Sequence, residues 1–250
     1  MSSSLQSIEA LLRRSHPSAA LCAGAPGTPS TRTLLLAVLV LGAGYGLCMG
    51  LYGWCYGTDY NVAHVLAVMI KVPALFLLTL AVTCPSLHVF SALARSTLSF
   101  RHTVRLLLAA TATSLAVLAS FGPVTAFFTF CTKSHPFMQL LNTALFAVSG
   151  LAGVLFLQRS LIELLSQGIA SDTDGRSRED ARAQPSAHAA RIRRRLIFVF
   201  SSWIVIYAAV GGQMGWILRP FVGSPHLSQE LFRSIESNFF YGVLEALRYL

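Results

Sequence analysis

LLLAVLVLGAGYGLCMGLYGWCYG, residues 34–57, is an apolar run without a single charged side chain, long enough to cross a bilayer. Its glycines decide how it packs. Gly42, Gly46 and Gly50 recur every four residues and share one helical face, and Gly53 and Gly57 extend the stripe with a small rotation about the axis. Helices in lipid gain nothing by expelling water from between them; they associate through close van der Waals contact, which small side chains permit. The stretch is therefore expected to be a membrane helix whose glycine face is a seam for other helices.

The rest of the chain repeats the theme. Hydrophobic residues make up 54% of the 250 and charged residues 12%. The apolar residues arrive in blocks of roughly 20, the length of a membrane span. A soluble domain would have to hide several such blocks behind very little polar surface. The net charge of +9 comes almost wholly from arginines lying between the blocks. Those arginines lack the aromatic and basic interleaving of a nucleic-acid surface, so anionic lipid head groups are the expected partners and nucleic acid is not. The five cysteines fall in no CxxC or Cys/His spacing, and no metal or other cofactor is expected.

These blocks predict an all-α fold, a polytopic transmembrane helix bundle of about five spans plus interfacial amphipathic helices. The spans are expected near residues 34–57, 72–94, 106–130, 136–158 and 196–218. Residues 60–94 are too long for one simple span and are interrupted by Lys71 and Pro73. In one arrangement residues 61–70 lie at the interface and the span starts at residue 72, so that Lys71 and Arg95 snorkel to head groups at its two edges. In the other the span runs from about residue 62 to residue 84 and Lys71 sinks into the bilayer, where an ionisable group marks a function. The first is expected, because burying an ammonium costs several kcal/mol on insertion scales. Pro85 then falls inside the helix and His88 is a polar side chain at depth, there to make a packing hydrogen bond.

Gly150 and Gly153 give the fourth block a second close-packing face, and Gly211 with Gly215 gives one to the fifth. The first and fifth helices are expected to meet through these faces, or one of them to meet another subunit. Residues 168–195 form a polar, flexible basic loop ending in Arg191, Arg193, Arg194 and Arg195, which with Arg219 are expected head-group anchors. Arginines concentrate before the first span and in the second and fourth connections, while the other two connections offer only Lys71 and Lys133. The positive-inside rule then puts the N-terminus in the cytoplasm and the C-terminus outside. Residues 1–32 form a cytoplasmic segment in which Leu5, Ile8, Leu11 and Leu12 suit a short surface helix, a frayed terminus or a mitochondrial presequence. Residues 219–250 form an exoplasmic tail whose helix lies on the outer leaflet.

Two stretches carry a family resemblance: KVPALFLLTLAVTCPSLHVF, residues 71–90, and GGQMGWILRPFVGSP, residues 211–225. With five spans and an inward N-terminus they resemble the Yip family of multi-span membrane proteins, which has bacterial members. The resemblance implies a topology and a bacterial inner membrane, with a mitochondrial membrane as the alternative. The long acidic N-terminal region through which eukaryotic members engage small GTPases is missing from this chain, so that activity is not carried over.

The leading function is a structural or accessory membrane subunit without catalysis of its own, binding lipids and a protein partner or a second copy through its glycine faces. A transporter or channel component is the alternative, with polar candidates Lys71, His88, Gln139, Asn142 and Gln213 spread along the chain. An intramembrane enzyme ranks third, because HExxH, the P-loop, GxSxG and paired membrane aspartates are all missing. Cys55 and Cys131 belong to the two outer connections and are expected to be free thiols, with a bridge as the alternative.

Overall fold

The computed structural model describes residues 28–56, 62–93, 100–174 and 204–215. They form helices α1 (Thr31–Tyr56), α2 (Val62–Leu93), α3 (Phe100–Ser120), α4 (Gly122–Cys131), α5 (His135–Asp174) and α6 (Ile204–Gly215), with no strand among them. Among the described residues four segments are long and apolar enough to cross a membrane: Thr31–Tyr56, Val62–Ser86, Phe100–Cys131 and His135–Ser160. Helix α6 is part of the fifth apolar block. The chain is an all-α integral membrane protein.

The distribution of side chains fits lipid as the solvent. Leu36, Val40, Leu66, Ile70, Phe127, Phe130 and Leu151 are each more than half exposed on the outside of the bundle, whereas Thr111, Ser114, Thr125, Thr129, Asn142 and Ser149 are buried within it. Most of the buried hydroxyls stay satisfied by bonding back along their own helix. Thr79, Thr111, Thr113 and Thr129 each donate to the carbonyl four residues earlier at 2.8–2.9 Å.

Helix α1 starts where Ser30 caps it, its Oγ accepting from the Thr33 amide at 3.1 Å. It packs most extensively on α2, then on α3 and α4. Helix α2 runs unbroken through Lys71 and Pro73, so no helix boundary falls at residue 72 and Lys71 lies nine residues inside the helix. Proline costs a membrane helix one backbone hydrogen bond and is tolerated where neighbouring helices support the site. Here Gly42 of α1 makes room for the Pro73 ring.

The third block is one span with a tight turn inside it. Pro123 cannot donate to the carbonyl four residues back, and the chain closes the gap with a shorter bond from the Phe121 amide to the Leu118 carbonyl at 3.0 Å before α4 resumes. Helix α5 outlasts its apolar block and is helical to Asp174, past residue 168 where the loop is expected to begin.

Candidate functional site

The closest helix packing runs along the α1–α2 seam. A Cβ added at Gly42 would lie 2.9 Å from the Pro73 Cβ, one at Gly46 2.8 Å from the Met69 Cα and the Val68 carbonyl oxygen, and one at Gly50 3.2 Å from the Val65 Cα. Gly53 faces the His64 ring in the same way. The glycine face of the first helix is thus occupied within the chain, by α2 rather than by the fifth helix. A connection of only five residues, 57–61, makes α2 the antiparallel neighbour of α1 and brings it to the face first. Gly211 and Gly215 also face α2, where an added Cβ would lie 3.7 Å from the Thr79 and Leu75 side chains, while Gly153 sits against the Ser114 hydroxyl and the Ala110 carbonyl of α3. Gly150 opens onto unoccupied space. Gly57, Arg95, Arg191, Arg193, Arg194, Arg195 and Arg219 lie outside the described residues, as do the termini, and the His88 side chain is not described either.

At the level of this seam a polar relay crosses the core. The Thr125 hydroxyl and the Tyr45 hydroxyl are 3.3 Å apart, Tyr45 donates to the Asn142 Oδ1 at 2.7 Å, and the Asn142 amide donates to the Met138 carbonyl at 2.8 Å. Tyr45 and Asn142 are fully buried. The relay ties α1 to α4 and α5, and Phe146 closes over it, edge-on to Tyr45 at 5.7 Å and stacked on Phe76 of α2 at 5.9 Å. Of the polar candidates read from sequence, Asn142 is brought into this relay; Tyr45 and Thr125 become partners only through tertiary register. Helix α6 packs beside α2 and α3, with Gly215 and Gly211 turned toward Leu75 and Thr79 and Tyr207 hydrogen-bonded to Thr111.

The two ends of the bundle differ in chemistry. Tyr52, Tyr56, Phe128, Phe137 and Met138 cluster where α1 and α4 end and α5 begins, and the Tyr52 hydroxyl donates to the Lys133 carbonyl at 2.9 Å. At the opposite end Arg105 holds the chain entering α1, donating from Nη2 to the Pro29 carbonyl at 2.6 Å and the Thr28 hydroxyl at 3.1 Å. Arg32, Arg101 and His102 belong to that end as well.

The antiparallel pairs Gly42–Pro73, Gly46–Met69 and Gly50–Val65 fix the height of Lys71: it lies level with Gly44, at the middle of α1. His64 stands two turns away on the same face of α2. Cys48, Cys55, Cys84 and Cys131 are free thiols. Among the described residues no three His, Cys, Asp or Glu side chains gather as metal ligands would. The chain matches no protein-family model, no curated protein and no solved structure.

Proposed function

We propose that this integral membrane protein is a structural or accessory subunit, without catalysis of its own, that works by presenting a rigid helix bundle to lipids and to a protein partner. One observation carries the reading. The polar groups that meet in the core, Thr125, Tyr45 and Asn142, spend their hydrogen bonds on one another and on the Met138 carbonyl, while the helices beside them touch at backbone distance along the glycine seam. An interior arranged in this way holds helices together and gives a solute no wet path.

The test is purification from native membranes in mild detergent, followed by reconstitution. The chain should be recovered bound to another membrane protein, and vesicles containing it alone should leak protons and chloride no faster than empty ones. Leak that disappears in Lys71→Met or Gln213→Ala would instead establish the transporter reading, which the mid-height position of Lys71 favours.

The proposal includes an orientation: cytoplasmic N-terminus, exoplasmic C-terminus, in a bacterial inner membrane, with the Yip-like relationship that the resemblance implies. Its support is the asymmetry between the arginine end and the aromatic end. Cys131 is exposed at the aromatic end. With Cys131 as the sole cysteine, a membrane-impermeant maleimide should label intact, right-side-out cells or spheroplasts fully, and labelling that needs prior lysis would reverse the orientation.

A further inference from the structure

We draw no further inference here: the strongest candidate, the Arg105 guanidinium at the end of the bundle where the chain enters α1, with a buried Nε unpaired among the described residues, carries none, because residues 1–27 run into the same Thr28 and Pro29 that its Nη2 holds and lie outside the described residues, so nothing in the structure shows what covers it.

Discussion

Gly46→Leu is expected to cost about 3 kcal/mol or more, the upper part of the range for overpacking, and to leave little folded protein in detergent. A Cβ at this position meets the Met69 Cα and the Val68 carbonyl oxygen at 2.8 Å. Both atoms belong to the α2 backbone, so no flexible side-chain end is available to swing aside, and the helices have to part. Parting them loses contact along the whole seam from Gly42 to Gly53, because α1 and α2 form the largest helix pair in the bundle. Gly44→Leu is the matched control. A Cβ there meets nothing within 4 Å, and leucine replaces the least favourable ordinary helix residue, so stability should hold or rise by up to about 1 kcal/mol. Thermal melting of the detergent-solubilised protein, followed by the monodisperse fraction that survives heating, checks both. Equal melting temperatures for the two variants would mean that α1 and α2 do not pack through this face.

The contrast between Gly46 and Gly44 shows how much of the fold is legible before any coordinates. Four-residue spacing identifies Gly42, Gly46 and Gly50 as a contact face, because helical periodicity is a local property. The occupant of the face is not local. It depends on which helix arrives first, and a connection as short as residues 57–61 brings α2 there ahead of the fifth helix. The apolar blocks announce the spans for the same local reason. The start of the second long helix misleads because Lys71 and Pro73 together look like a helix boundary, on the grounds that an ammonium is expensive in lipid and proline is a poor helix residue. In the folded chain the proline is accommodated by a glycine on the facing helix, which no reading of α2 alone reveals. The polar relay is harder still. Asn142 stands out as a polar residue in an apolar block, but Tyr45 lies 97 residues away, and Thr125 looks like one more hydroxyl bonding along its own helix. Their convergence depends on the vertical register of three helices, set by the glycine seam and by the turn at Pro123.

That relay gives the second large effect. Asn142→Leu should destabilise the bundle by about 1–3 kcal/mol, because the buried Tyr45 hydroxyl loses its acceptor and water has no access to replace it. Tyr45→Phe removes the donor and leaves Asn142 with its bond to the Met138 carbonyl, so its cost should be the smaller. The informative variant is the double substitution. If the two side chains act on each other, Tyr45→Phe in the Asn142→Leu background removes a hydroxyl that has already lost its partner, and the combined cost should fall short of the sum by about 0.6–1.7 kcal/mol, the coupling found for side-chain hydrogen bonds in membrane bundles. Additivity within about 0.3 kcal/mol would show two independent packing sites. The cycle also bears on function. A relay that locks α1, α4 and α5 together should stiffen the bundle, so the double variant should stay closed to protons in vesicles while melting earlier. If proton leak rises as the relay is removed, the same three residues act as a gate, and the bundle interior is a path held shut by Tyr45.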